Sequence, residues 1–349
     1  MGEYGSTETI EASAVGVEGK EQLPFDFRPA LRESPLIISF PHVGLDWPAS
    51  LGPRPQVNFP RNADYAVDRL YVRAEALGAA TVRARYSRLV VDLNRAPDDV
   101  SAEIVPDHPA PQPRASLSSA SIGDRRRPIP NRGVVWRCAV GDIPLITTIT
   151  YAQFAQRIAQ FYRPYYRALE LLVERRRRRF GYAVVLDAHS MPGTVAGDLV
   201  LGTRAGRACG PQLRAVAEDA LHGRSAAIHG RFGSRWPLSV AVDDPYQGGH
   251  LVASLGDPTN HVHALQLEIS RALYMDEYRC DLSPIPDPTE LERARHNAWS
   301  RGAQAQQRDR RRLAALVSAI DALVLELSRV REDLAADPSD DRAERAAAE

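Results

Sequence analysis

Residues 182–190 read Tyr-Ala-Val-Val-Leu-Asp-Ala-His-Ser, an apolar run that stops abruptly at polar side chains. Such a run is typical of a buried strand in a parallel sheet. Three other runs have the same form: residues 36–40 before His42, residues 79–93 before Asn94 and Arg95, and residues 264–269 before Ser270 and Arg271. We therefore predict an α/β fold with a mixed, mostly parallel sheet flanked by helices.

Helical spacing of apolar residues follows these runs. Residues 64–78 and 151–180 carry apolar side chains three and four positions apart, which predicts helices. Five consecutive arginines, residues 175–179, end the second of them, and we interpret them as a solvated or acid-paired helix end. Since ligands of open α/β sheets bind beyond the carboxyl ends of the strands, we expect the polar strand ends to converge on one site.

The composition excludes several classes of protein. The chain has 349 residues, 44% of them apolar and 25% charged, and its net charge is zero, so we expect neither a nucleic-acid nor a membrane partner. Lys20 is the only lysine, and it lies in the polar N-terminal stretch. This excludes a P-loop and a Schiff-base lysine in the core. No apolar run is long enough for a membrane span, and no secretory signal is recognisable, so we expect a cytoplasmic protein.

The chain divides by composition into three parts. Residues 1–30 lack periodicity and are predicted to form a flexible N-terminal arm. Residues 31–286 are predicted to form the catalytic domain, in which the Pro-, Ser- and Arg-rich residues 96–135 are a long loop or lid. Residues 287–349 are predicted to form a helical extension. This extension either pairs with another subunit in a homo-oligomer or packs on its own domain.

Two histidines that follow strands suggest a metal centre. His42 and His189 each come at the end of an apolar run. Two imidazoles and one carboxylate would hold a catalytic zinc ion and leave the fourth position for water, although other divalent transition metals accept the same ligands. Asp46 and Asp64 compete for the carboxylate position. We favour Asp64, because Asp46 would have to reach back within a short loop.

Glu268 and the end of the second strand complete the candidate site. A carboxylate ending an apolar strand, as Glu268 does, suits a general base, while an ion pair with Arg271 is the structural alternative. Arg88, Asn94 and Arg95 bracket the end of the second strand, and arginine can hold a carboxylate with two parallel hydrogen bonds. They are candidates for binding an acidic substrate.

Together, these residues resemble the N-formylglutamate amidohydrolases, also called N-formylglutamate deformylases. The matching segments, in order between Pro35 and Glu277, are residues 40–44 with Pro48, residues 64–71, residues 86–95, Pro164-Tyr165-Tyr166, residues 187–190, Gly248-Gly249, residues 263–268 and residues 274–277. The family is in turn similar to zinc carboxypeptidases and aspartoacylases.

The resemblance implies a carboxypeptidase-like fold and a role for each candidate. It implies that zinc binds to His42, His189 and a carboxylate, that Asn94 and Arg95 hold the carboxylate of the substrate, and that Glu268 is the base. We add Arg88 to the catalytic residues. The predicted substrate-binding residues are Asn94, Arg95, Gln247, His263 and Arg271.

The resemblance also implies the reaction, with a departure in the substrate site. The expected activity is metal-dependent hydrolysis of an N-formyl or other small N-acyl amino acid, in which Glu268 activates water. Gln247 stands where the family usually has a lysine or arginine, and His250 where it tends to have tyrosine, so we expect altered specificity. The alternatives are a carboxypeptidase-like or other amide hydrolase, and a catalytically silent relative that binds a partner chain.

Overall fold

A computed structural model describes residues 8–17, 22–110, 132–223, 238–283 and 304–330. Its strands are β1 (Phe25–Arg28), β2 (Leu36–Phe40), β3 (Ala80–Ala84), β4 (Cys138–Ala139), β5 (Ile143–Pro144), β6 (Ala183–Met191), β7 (Leu199–Gly202), β8 (Val240–Val242), β9 (Val262–Ser270), β10 (Met275–Asp276) and β11 (Asp281–Leu282). Its α-helices are α1 (Tyr151–Arg157), α2 (Arg163–Phe180), α3 (Pro211–Leu221), α4 (His250–Leu255) and α5 (Gln304–Arg329).

Seven strands form one sheet in the order β1-β3-β2-β6-β9-β7-β8. The central four, β3, β2, β6 and β9, run parallel, whereas β1 and β7 pair antiparallel with their inner neighbours. Every residue of β2, β6 and β9 is buried, as the apolar runs in the sequence require of strands covered on both faces. The predicted mixed, mostly parallel sheet flanked by helices is confirmed.

The second predicted strand is shorter than expected. β3 ends at Ala84, and the chain then turns away, joined to the loop after β2 by a bridge between Asp46 and Tyr86. Gly44 permits this approach, because a β-carbon there would lie 2.5 Å from the backbone of Arg85 and Tyr86. Residues 85–95 therefore form a loop beside the end of β2.

One predicted helix is wrong and the other is confirmed. Residues 64–78 form turns and a short 3₁₀ helix, Val67–Tyr71, and the left-handed backbone conformation of Ala66 (φ 59°) excludes an α-helix across its predicted first turn. Residues 151–180 form α1 and α2, joined by a π-helical segment, Ile158–Tyr162. The arginines at the end of α2 are acid-paired as expected, and buried Arg176 donates two hydrogen bonds to Glu8.

Part of the predicted N-terminal arm belongs to the fold. Phe25–Arg28 forms β1 at the edge of the sheet, and Val15 is fully buried in the core beside α2. The prediction of a flexible arm is therefore wrong for these residues, since their apolar side chains are buried. Residues 111–131 of the predicted lid, and the two ends of the predicted C-terminal extension (287–303 and 331–349), lie outside the described residues.

The last described helix packs on its own domain. Leu316, Leu323 and Leu327 of α5 are fully buried in the core cluster that also contains β2, β6 and α3. Of the two alternatives for the C-terminal extension, packing on the domain is what α5 shows, and pairing with another subunit stays a prediction. No helix in the described ranges is both long and apolar enough to cross a lipid bilayer.

Replacing Leu323 by alanine should destabilise the whole domain. Removal of a fully buried leucine side chain loses its transfer free energy and leaves a cavity, which costs about 2–5 kcal/mol. Urea unfolding followed by circular dichroism measures the change. The matched control is Leu325→Ala on the same helix, where the side chain is only partly buried, and we expect less than half the effect. Equal effects would contradict this account of the helix.

Candidate metal centre and active site

Four polar side chains meet at the carboxyl ends of the central strands. His42 lies two residues beyond β2, β6 carries Asp187 and His189, and β9 carries Glu268. The parallel pairing of β6 with β9 places His189 directly opposite Glu268. The predicted convergence of the strand ends is therefore seen in the structure.

Asp64 joins the two histidines in a buried group. Its Oδ2 lies 2.8 Å from Nδ1 of His189 and 3.4 Å from Nδ1 of His42. One potential ligand atom from each of the three residues lies within 4.8 Å of the others. The backbone fixes this approach, because the Asp64 N–H donates to the carbonyl oxygen of His42 at 2.9 Å.

Both imidazoles are oriented by a second carboxylate. The Nε2 atom of His42 donates to Asp92 Oδ1 at 2.8 Å, and Nε2 of His189 donates to Asp187 Oδ2 at 2.7 Å. Both Nδ1 atoms are thereby directed towards Asp64, and the buried Nδ1 of His42 has no hydrogen-bond partner. A carboxylate, a histidine and a metal ion in line are typical of protein zinc sites, so these residues fit a metal ion.

The carboxylate of Asp64 is held so that one oxygen faces the histidines. Its Oδ1 accepts hydrogen bonds from Ser190 Oγ at 3.1 Å and from the Arg271 guanidinium at 3.3 Å, which leaves Oδ2 for the two imidazoles. Asp46, the competing candidate, is exposed and is not part of the metal-capable group. The geometry thus supports the choice of Asp64.

The buried charges of this group strongly shift the pKa values of Asp64 and His189. Burial tends to raise the pKa of Asp64, but the hydrogen bond to His189 and the close approach of His42 outweigh burial and hold this pKa well below its usual value. Burial tends to lower the pKa of His189, but the charge of Asp187 and the bonds to Asp187 and Asp64 raise it well above the usual value. The two carboxylates therefore favour the protonated form of His189, and a metal ion bound at Nδ1 would displace that proton.

Glu268 stands beside this group as an isolated buried carboxyl. Its Oε1 accepts a hydrogen bond from Gln266 Nε2 at 2.8 Å, and burial raises its pKa to about 7. Arg271 binds Ser190, Ala63 and Asp64, and the described residues contain no ion pair between Arg271 and Glu268. A carboxyl with a pKa near neutrality can both accept and return a proton.

Arg88, Asn94 and Arg95, the candidates for binding an acidic substrate, differ in whether their side chains are already hydrogen-bonded to the protein. Arg88 donates from Nε (3.1 Å) and a terminal nitrogen (2.6 Å) to Asp92 Oδ2. Asn94 donates to Gln266 Oε1 at 3.3 Å and accepts from the Leu251 N–H at 2.9 Å, so its amide holds protein groups near Glu268. The guanidinium of Arg95 forms no hydrogen bond or ion pair within the part of the chain described. Of these three residues, Arg95 is the best placed to bind a ligand.

The structure does not bring His263 to the site. It lies five residues from Glu268 on β9, which is about 16 Å along an extended strand. There its Nδ1 accepts a hydrogen bond from the Gly210 N–H at 3.0 Å. The prediction that His263 binds substrate is contradicted, because His263 lies at the amino end of β9, whereas the site lies at its carboxyl end.

Gln247 lies on the loop that leads into α4, and His250 is the first residue of that helix. The buried Oε1 of Gln247 has no hydrogen-bond partner. The neighbouring Gly249 packs so closely on Asn94 that a β-carbon would lie 2.3 Å from its amide. This loop therefore lies against the residues that support Glu268, and Arg271, the remaining predicted substrate-binding residue, supports Asp64 instead.

Asp92 and Gln266 support the site, and neither is among the residues predicted from the sequence to act in it. Asp92 joins three elements, since it accepts hydrogen bonds from His42, Arg88 and the Trp136 indole N–H. Burial tends to raise its pKa, but the charges of Arg88 and His42 outweigh burial and hold it well below the usual value. Its position at the end of an apolar run is the signal that could have identified it.

The sheet, the strand-end site and the paired histidines define an α/β enzyme with a candidate metal centre. A sequence model of the N-formylglutamate amidohydrolase family matches residues 34–275. The chain therefore belongs to the N-formylglutamate amidohydrolase family and is an enzyme that acts on an amide bond. This confirms the resemblance found in the sequence.

Individual relatives agree with this assignment. The chain is 33% identical over 266 residues to a protein of Pseudomonas aeruginosa named N-formylglutamate deformylase, a match that covers 71% of this chain and 87% of the relative. A protein of the same name from Pseudomonas putida is 31% identical over 74% of this chain and 88% of its own length. The crystal structure of an N-formylglutamate amidohydrolase from Ralstonia eutropha superposes with a TM-score of 0.65 at 26% identity, covering 88% and 97% of the two chains.

The geometry of the histidine group predicts the metal stoichiometry. We expect one equivalent of Zn²⁺ or a similar divalent ion to bind, and His42→Ala to weaken binding more than about 100-fold, since loss of a ligand exceeds the usual cost of losing an outer partner. Competition with a chromophoric chelator measures both affinities. His261→Asn is the control at the other end of β9, where asparagine tolerates the positive φ of 57°. Unchanged affinity in His42→Ala would contradict the assignment.

Proposed function

We propose that the chain is a metal-dependent deformylase that hydrolyses the amide bond of N-formyl-L-glutamate or a closely similar N-acyl amino acid. The observation that carries this proposal is the position of Glu268, directly opposite His189 and beside a buried group of two imidazoles and one carboxylate. The names of the two Pseudomonas relatives indicate the expected substrate, and the geometry of the site supports the proposed chemistry.

The residues of the proposed metal centre are His42, Asp64 and His189. Zinc bound there would polarise the acyl oxygen of the substrate and lower the pKa of water to about 7. Asp92 and Asp187 keep both Nδ1 atoms pointing inwards, while Ser190 and Arg271 fix the rotation of Asp64. Other divalent transition metals fit the same ligands.

Glu268 acts in this proposal as the general base and then the general acid. Its carboxylate takes a proton from the attacking water and gives it to the leaving amine nitrogen, so the products are formate and free glutamate. Burial favours the neutral form of Glu268 and raises its pKa to about 7, which makes both transfers accessible near neutral pH. Gln266 holds one oxygen of this carboxyl in place at 2.8 Å.

Arg95 is the proposed holder of the α-carboxylate of the substrate. A guanidinium matches a carboxylate with two parallel hydrogen bonds, and that of Arg95 is not engaged by any described side chain. Arg88 contributes by fixing Asp92 and thereby His42. Asn94 contributes by holding Gln266 next to Glu268.

Glu268→Gln is expected to lower the rate of formate release by about 10²–10⁴-fold, because glutamine cannot accept the proton. Formate dehydrogenase coupled to NADH formation measures release from N-formyl-L-glutamate, and elemental analysis of the same sample should show unchanged metal content. Glu75→Gln is the matched control, since Glu75 bonds to Thr81 and Arg83 away from the site.

Three results would overturn the proposal. One is wild-type protein that releases no formate from N-formyl-L-glutamate or its analogues. Another is full activity after removal of all divalent metal. The third is a Glu268→Gln variant that retains wild-type turnover.

A further inference from the structure

Two guanidinium groups pack on the ring of Trp136 next to the metal centre. The guanidinium carbons of Arg88 and Arg132 lie 4.6 Å and 4.7 Å from the centre of this ring. The indole N–H of Trp136 donates to Asp92 Oδ2 at 2.9 Å, and the other oxygen of Asp92 holds His42. Arg132 therefore lies one aromatic ring away from the support of a proposed metal ligand.

Three guanidinium groups, those of Arg88, Arg95 and Arg132, lie near one another in this region. Burial lowers the pKa of Arg132, and the nearby charges of Arg88 and Arg95 lower it further, while the charge of Asp142 partly opposes this shift. Arg88 is neutralised by Asp92, but that carboxylate is already shared with His42. Within the described part of the chain, neither Arg95 nor Arg132 forms an ion pair. Asp142 lies near Arg132, and Asp92 and Asp99 lie near Arg95, but none of these carboxylates is within ion-pair distance of either guanidinium.

The guanidinium of Arg132 also has unused hydrogen-bond donors. One terminal nitrogen donates to the carbonyl oxygen of Ala139 at 3.3 Å, and the buried Nε has no partner. A buried donor without an acceptor is costly. An anion that reached Arg132 would accept this hydrogen bond and offset the repulsion from the neighbouring arginines. A carboxylate has the matching planar shape.

We propose that Arg132 is a specificity-determining residue that binds the second carboxylate of a dicarboxylic N-acyl amino acid, while Arg95 binds the first. This inference rests on the proposed function and names the substrate class of the same site. It also explains how a chain with the neutral Gln247 on the α4 loop can recognise a dianion, because the second cation comes from the Trp136 side of the site.

Paired substrates separate recognition of charge from recognition of shape. N-formyl-L-glutamine has nearly the same shape as N-formyl-L-glutamate but lacks the second negative charge. Arg132→Gln should raise KM for the glutamate compound about 10- to 100-fold, the usual effect of losing a charge-assisted hydrogen bond, and change KM for the glutamine compound less than about twofold. In both cases kcat should stay close to the wild-type value. Arg132→Lys should recover part of the loss.

A binding measurement makes the result independent of turnover. Calorimetric titration of both compounds into Glu268→Gln and into the double variant Glu268→Gln/Arg132→Gln should show the same 10- to 100-fold loss for the glutamate compound alone. Arg137→Gln is the matched control, since Arg137 follows Trp136 but is exposed and pairs with Glu103. This control should behave as wild type with both compounds.

The outcomes distinguish this inference from the proposed function. A loss of affinity for the glutamate compound alone in the variants that carry Arg132→Gln supports the inference. This holds even if wild-type protein binds that compound without hydrolysing it, since that result would contradict only the proposed function. An equal loss for both compounds would show that Arg132 only supports Trp136, and the inference would be wrong. Unchanged KM and affinity for N-formyl-L-glutamate would also overturn it.

Discussion

The pairing of β6 with β9 is the constraint on which the active site depends. Parallel register brings His189 opposite Glu268, and β2, on the other side of β6, delivers His42 to the same edge. Because side chains alternate between the two faces of a sheet, a slip of one residue would turn either His189 or Glu268 to the wrong face. The fully buried apolar residues of both strands resist such a slip, so packing of the core and alignment of the site have the same physical origin.

The site also depends on a balance of buried charges. Asp64 and Asp92 are buried and would be costly as isolated ions, yet each has a cationic or imidazole partner within hydrogen-bond distance. Glu268 differs, because its hydrogen bond from Gln266 carries no charge. The pKa values of these carboxyl groups therefore shift in opposite directions. Burial raises the pKa of Glu268, while the partners of Asp64 and Asp92 keep those two carboxylates ionised. The arrangement keeps fixed ligands beside one group that can exchange a proton.

The sequence was sufficient to predict the central strands and the residues at their ends, because apolar runs that stop at His42, His189 and Glu268 are local signals. It was insufficient where backbone conformation or long-range position decides. The left-handed Ala66 turns the predicted helix around Asp64 into shorter turns. His263 belongs to a segment that resembles the family, but it lies at the amino end of β9, away from the site at the carboxyl end.

Supporting contacts were the other part that sequence patterns could not predict. Arg132 stands among basic and proline-rich residues that have no periodicity, and only the folded chain shows it beside Trp136. Asp92 is visible in the sequence as the end of a run, but its contacts with His42 and Trp136 join residues 50 and 44 positions away. Such contacts follow from the whole fold, whereas the strand ends can be recognised within a few residues.

The core contribution of α5 means that the family-matched segment and the folding unit have different limits. The match ends at residue 275, whereas Leu316, Leu323 and Leu327 fill space against β2, β6 and α3. A protein trimmed to the matched residues would leave the apolar faces of β2 and α3 in water, and exposed surface of that kind promotes aggregation. Swapping catalytic segments between relatives would therefore require the distant helix to be carried along, even though it contributes no side chain to the chemistry.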